Sequence, residues 1–190
     1  MNAAQYLIEV RRTLSPHNTE TTTRLGLRGE TGEVCDLIKK FTGHRVPEDP
    51  AKVLKELGDC AWYGAARLIE FADFTESERA DLITATTKFP VLISEDELTT
   101  AAEHLQDVAI RMGYDRNQFD LCDHATLYFT LIKALAHRFG FTVVDVLAAN
   151  VSKLRARYPE GFTTAASVAK ADEKIPAFIP PGYDANGSPV

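Results

Sequence analysis

Glu30 and Glu33 stand three residues apart in GLRGETGEVCDLIKK, and Glu56 and Asp59 repeat that spacing in KVLKELGDCAWY. On a helix, an i,i+3 pair projects both carboxylates from one face, about 5–6 Å apart at Cβ. Two such helices side by side would bring four carboxylates to one spot. Four anions cannot all stay ionised there without a compensating cation. Oxygen ligands suit Mg²⁺, Mn²⁺ or Ca²⁺, whereas zinc takes nitrogen and sulfur. The acids therefore point to a divalent cation held for chemistry on a polyanion, a nucleotide above all.

The chain that must position them has 190 residues, enough for one domain with a sizeable core. A net charge of −6 with no basic stretch to offset it argues against a nucleic-acid polymer as partner. No apolar run approaches the length of a membrane span. The start, MNAAQYLIEVRR, lacks the basic residues and apolar centre of a signal peptide, so a cytoplasmic location is expected. Cys35, Cys60 and Cys122 are odd in number and form no CxxC, which indicates neither a disulfide framework nor a zinc site. They read as reduced thiols acting as small apolar residues.

Apolar periodicity is helical almost throughout. It predicts helices over Ala3 to Leu14, stopped at Ser15-Pro16, and over Glu20 to Thr42, with Gly43 as cap. A loop to Pro50 precedes a helix from Ala51 to Ala72. A less regular stretch with a Phe89-Pro90 break follows, then helices over Glu95 to Met112, Asp120 to Phe139 and Thr142 to Tyr158. Beyond Pro159, residues Pro176, Pro180, Pro181, Gly182 and Gly187 predict an extended tail, residues 161–190. Only short ambiguous runs such as Pro90 to Ile93 suggest strand, so the fold class is an all-α bundle. LGDCAWYGAARLI and LCDHATLYFTLIK align with their aspartates in register, so Asp120 and Asp123 echo Glu56 and Asp59. Shared helix periodicity accounts for this, or else a duplicated helix or a second acidic pair.

Solvated helix faces are full of Glu, so either pair alone says little. Gly29 and Gly32 beside the first pair cost helix stability and imply close approach of a neighbour or a ligand. Gly58, Trp62 and Tyr63 around the second pair are likewise unlike a purely solvated face. ExxE, a spacer of 22 residues and ExxD, with GLRGETGEVCDLIKK, KELGDCAWY and AANVSKLRARYPEGF around them, resemble the MazG-like all-α nucleoside triphosphate pyrophosphohydrolases. The resemblance implies hydrolysis of a nucleoside triphosphate to the monophosphate and pyrophosphate. It also implies Mg²⁺, with Mn²⁺ as possible substitute, held by Glu30, Glu33, Glu56 and Asp59. It makes residues 1–160 the catalytic domain, with about 71–121 inserted relative to compact members. Substrates such as dUTP, dCTP or phosphoribosyl-ATP fit the same resemblance, and a non-catalytic helical interaction module remains the alternative from another class.

Helix faces suggest roles for further residues. Tyr63, four residues after Asp59, shares its face and can reach a nucleotide or pack in the core; Trp62 points elsewhere, towards the core. Lys40 follows Glu33 by seven residues, close to two turns, while Lys39 points away. Asn150, Lys153 and Arg157 form an i, i+3, i+7 stripe suited to the outer phosphates or to solvent, with Arg155 off it. Glu33 is the candidate to accept a proton from water, and Lys153 and Arg157 to stabilise the departing pyrophosphate. His17 and Asn18 could touch base or sugar. His44, His104, His124 and His137 share no ligand spacing, and neither ExxH pairs nor a P-loop occurs. Bare apolar faces on the second and third helices predict a partner subunit, and relatives in the resembled family are dimers or dimers of dimers, so a homodimer or homotetramer is expected.

Overall fold

A computed structural model describes residues 1–84, 93–170 and Gly182. The described residues form helices α1 (Ala3–Thr13), α2 (Glu20–Thr42), α3 (Pro50–Glu70), α4 (Glu76–Thr84), α5 (Leu98–Tyr114), α6 (Gln118–Arg138), α7 (Val143–Arg157) and α8 (Thr164–Ala169), with no strand among them. The fold is all-α. Side-chain caps fix the starts: Asn2, Thr19, Asp49, Asn117, Thr142 and Thr163 each accept from a backbone amide of the first turn. Pro50 occupies the first turn of α3, where its missing N–H costs nothing.

Two helices depart from the expectation. The irregular stretch after α3 contains α4, opened by Thr75, whose hydroxyl accepts from the Glu78 amide while the Glu78 carboxylate accepts from the Thr75 amide. That reciprocal T-x-x-E box was present in the sequence. The predicted extended tail begins instead with α8, because Thr163 caps a run of alanines. The Phe89-Pro90 break, the run from Pro90 up to residue 92, and the tail prolines and Gly187 lie outside the described residues.

Gly26 meets Tyr63 and Glu30 lies beside Asp59, so α2 and α3 run antiparallel. α5 lies along α2, α6 packs on α5 and α3, α7 on α3, and α1 on α3 and α4. Leu27, Leu57, Cys60, Leu105, Tyr128 and Phe129 are all buried in one core. α5 and α6 thus pack on α2 and α3, the helices on which a partner subunit was expected, while Leu25 of α2 stays exposed. Segment 71–121 supplies α4, α5 and the first residues of α6 to this bundle. All three cysteines are free, Cys60 buried and the other two half-buried. No described helix is long and apolar enough to cross a membrane.

Two buried arginines close helix ends. The last carbonyls of a helix lack intrahelical donors and carry the negative end of its dipole. Arg79 donates to Leu68 O at 2.9 Å and to Phe71 O at 2.8 Å, ending α3. Arg67, only 3 % exposed, donates to Met112 O at 3.1 Å and Asp115 O at 2.6 Å, ending α5. Replacing either by Met leaves buried carbonyls unpaired, at about 1–3 kcal/mol per group. Thermal unfolding of Arg67→Met and Arg79→Met should accordingly fall by about 2–4 °C per kcal/mol lost.

Candidate metal centre and its cleft

Three of the four predicted carboxylates converge. Glu30 from α2 and Glu56 and Asp59 from α3 each offer an oxygen, all within 4.8 Å of one another, and all three side chains are half-buried. Glu33, one turn further along α2, is exposed and outside that group. Burial first, then the charges of Asp59 and Glu56, push the Glu30 carboxyl up to about 7. The same burial and the anions Glu30 and Asp59 raise Tyr63 and, well beyond its usual range, Cys60. A site that penalises its own negative charge in this way fits a divalent cation with oxygen ligands, and the donor set is the hard one such ions prefer.

Asp59 is held from α7. Asn150, 2 % exposed, donates from Nδ2 to Asp59 Oδ1 at 3.1 Å, and the Lys153 ammonium donates to both Asp59 oxygens. Asn150 is fixed in turn by Tyr6 of α1, whose buried hydroxyl donates to Asn150 Oδ1 at 3.0 Å. Gly58 permits this approach: a Cβ there would lie 3.0 Å from Asn150 Cβ. Gly26 is needed more strongly, since its Cβ would fall 2.0 Å from the Tyr63 ring. Of the glycines singled out in the sequence, Gly58 thus serves a close approach, whereas Gly29 and Gly32 do not. A Cβ on Gly29 would meet nothing within 4 Å, and one on Gly32 only Gln106 at 3.5 Å. Tight helix approach is set at Gly26, at Gly58 and at Gly64, whose Cβ would lie 2.7 Å from the Tyr128 ring, and not at Gly29 or Gly32.

A cleft of about 240 Å³ opens beside the acids, lined by Glu30, Asp59, Tyr63, Lys153 and Arg157 among others. Aromatic and hydroxylic residues also line it, Trp62, Tyr158, Phe162, Thr13 and Ser15. Trp62 packs against the core as expected but also lines the cleft. It lies half-buried in the cleft wall, edge-on to Tyr63 with ring centres 4.8 Å apart, and its indole N–H donates to Thr13 Oγ1 at 3.0 Å. Tyr6, Thr13, Tyr158 and Phe162 had no distinguishing spacing, because they enter from α1 and the end of α7.

Other candidates lie elsewhere. Lys40 is exposed, and its ammonium pairs with Asp36 at 2.5 Å on its own helix. Arg155 pairs with Glu9 at 2.6 Å. Asn18 lines the cleft, but its amide donates to Glu70 Oε1 at 2.7 Å and Thr23 Oγ1 at 2.9 Å; His17 is exposed. Asp120 and Asp123 are both exposed on α6, where Asp120 accepts from Asn117 at 2.6 Å, and neither joins the acid cluster.

Residues 18–85 match the MazG nucleotide pyrophosphohydrolase domain family. Comparison with curated proteins and with solved structures gives no match. The matched segment contains α2, α3 and α4, hence the whole acid cluster, while Tyr6, Asn150, Lys153 and Arg157 lie outside it.

The raised Glu30 carboxyl has a consequence for stability. Between its ordinary 4.5 and about 7, folded Glu30 keeps a proton that the unfolded chain releases. Its contribution is therefore complete below 4.5 and is lost as pH rises through 7. In chelator, the melting temperature of the wild type should fall from pH 5 to 8 more than that of Glu30→Gln. Differential scanning fluorimetry on the pair measures the difference.

Proposed function

We propose that this chain, MazG-like over residues 18–85, is a divalent-metal-dependent nucleoside triphosphate pyrophosphohydrolase that cleaves between the α and β phosphates. One observation carries the reading: Glu30 and Asp59, two of the three converging carboxylates, line a cleft that also holds Lys153, Arg157 and several aromatic rings. Glu30, Glu56 and Asp59 would hold the cation, with Mg²⁺ the natural choice and Mn²⁺ a substitute. When bound, it supplies neutralisation of phosphate charge and a more acidic water.

The chain's own groups do the rest. Lys153 and Arg157 bind the outer phosphates, one as a point charge and one as a planar fork, and stabilise charge on the departing pyrophosphate. Asn150 keeps Asp59 in place. Tyr63 and Trp62 offer flat apolar surface to a sugar or base and help exclude water. Glu33, a turn beyond Glu30, is assigned to accept the proton of the attacking water. Lys40, held by Asp36 on the same helix, would reach substrate only by leaving that pair. Residues 1–160 act as one catalytic unit, with about 71–121 completing its bundle rather than standing apart. A homodimer or homotetramer is the expected assembly, and the exposed Leu25 of α2 is apolar surface open to it. The three free cysteines support a reducing, cytoplasmic setting.

Incubation with single ribo- and deoxyribonucleoside triphosphates and Mg²⁺ tests the bond cleaved. Monophosphate and pyrophosphate are expected; diphosphate and orthophosphate would refute the assignment. The panel should include dUTP, dCTP and phosphoribosyl-ATP, which ask which base and sugar are read. Glu56→Gln and Asp59→Asn should each lower turnover by roughly two orders of magnitude or more, with unchanged far-ultraviolet circular dichroism. Inactivity of the wild type on every substrate, with no thermal shift from Mg²⁺ or nucleotide, would favour an interaction module.

A further inference from the structure

The three carboxylates differ in what already engages them. Glu56 meets the half-exposed ammonium of Lys55, the residue before it on the same helix, at 2.8 Å. Asp59 is far more heavily engaged. Its Oδ1 accepts from Asn150, and both oxygens accept from Lys153. The Lys153 and Asp59 side chains are each only 16 % exposed, so this pair is poorly hydrated and each partner depends on the other. Asn150 cannot swing away, because Tyr6 holds its carbonyl oxygen in the core. A divalent cation drawn to Asp59 therefore meets an ammonium of like charge already seated on both oxygens and competes with it for them.

Lys153 also lines the cleft, next to Arg157. A phosphate group entering that cleft offers the ammonium a second anion. We propose that Lys153 is an exchangeable counter-ion of Asp59, released to the phosphate of an incoming ligand so that substrate binding and metal binding reinforce one another. The inference rests on the metal-centre reading given under the proposed function. Such coupling is reciprocal: whatever factor a phosphate ligand adds to metal affinity, the metal adds to that ligand's affinity.

Mn²⁺ titration of the full chain by calorimetry or by loss of the free-ion electron paramagnetic signal tests this without turnover. With no nucleotide present, Lys153→Met should bind Mn²⁺ about fivefold or more tightly than wild type. Lys153→Arg keeps a cation on Asp59 and should stay within about twofold of wild type. Lys52→Met, the same loss of charge at an exposed position of α3, should also stay within about twofold. A deoxynucleoside monophosphate should tighten Mn²⁺ binding to wild type and lose that effect in Lys153→Met. Lys153→Gln serves if the Met variant misfolds by circular dichroism. Unchanged or weaker Mn²⁺ binding in Lys153→Met, or equal tightening in Lys52→Met, overturns the inference. Asp59→Asn separates the two ideas: if it leaves Mn²⁺ binding intact, the metal centre itself is misplaced. If it abolishes binding while Lys153→Met binds like wild type, only the counter-ion role fails.

Discussion

Confinement of negative charge between α2 and α3 is the constraint on which the rest of this molecule turns. Three carboxylates with oxygens within 4.8 Å of one another repel, and partial burial removes the water that would screen them. The fold answers in two ways. It keeps a proton on Glu30 well above the usual carboxylate range, and it brings a lysine and an asparagine from α7 onto Asp59. Both responses are partial, and both are what a cation or a cationic transition-state environment would replace.

Holding like charges together requires a scaffold that does not yield. Here it comes from apolar packing: α5 and α6 cover the faces of α2 and α3 that do not carry the acids, and the two buried arginines seal helix ends where carbonyls would otherwise be unpaired. Small residues then set how near the elements come. Gly26 lets the Tyr63 ring lie flat against α2, and Gly58 lets Asn150 reach α3. Preorganisation of this kind lets charged groups act on a substrate without reorganising at the moment of reaction.

The cleft brings together acids, in Glu30 and Asp59, the cations Lys153 and Arg157, and the aromatic rings and hydroxyls of Trp62, Tyr63, Tyr158, Phe162, Thr13 and Ser15. In a chain of net charge −6, cations gathered at one place create a local field that the overall charge would not suggest. The contributors come from separate parts of the chain. The acids lie in the segment that matches the MazG family, while the groups that steady Asp59 enter from α1 and α7, outside it.

Local spacing alone determined much of this arrangement. Carboxylates three apart share a helix face wherever that helix sits, so the pairing of Glu56 with Asp59 was open to a reading of i,i+3 offsets, as was the stripe from Asn150 to Arg157, whereas the meeting of Glu30 with them depends on how α2 docks on α3. The major helices likewise followed from apolar period and breaker residues, and α4 had a legible capping box that the irregular composition around it obscured. What spacing could not decide is which part of a face turns inward. Glu33 shares a face with Glu30 yet stands in solvent, Lys40 is taken by Asp36, Trp62 reaches the cleft, and close approach falls at Gly26 and Gly64 as well as at Gly58, not at Gly29 or Gly32. Those outcomes depend on the angle and depth at which α2, α3 and α7 dock, which non-local core packing sets and no offset along one helix encodes.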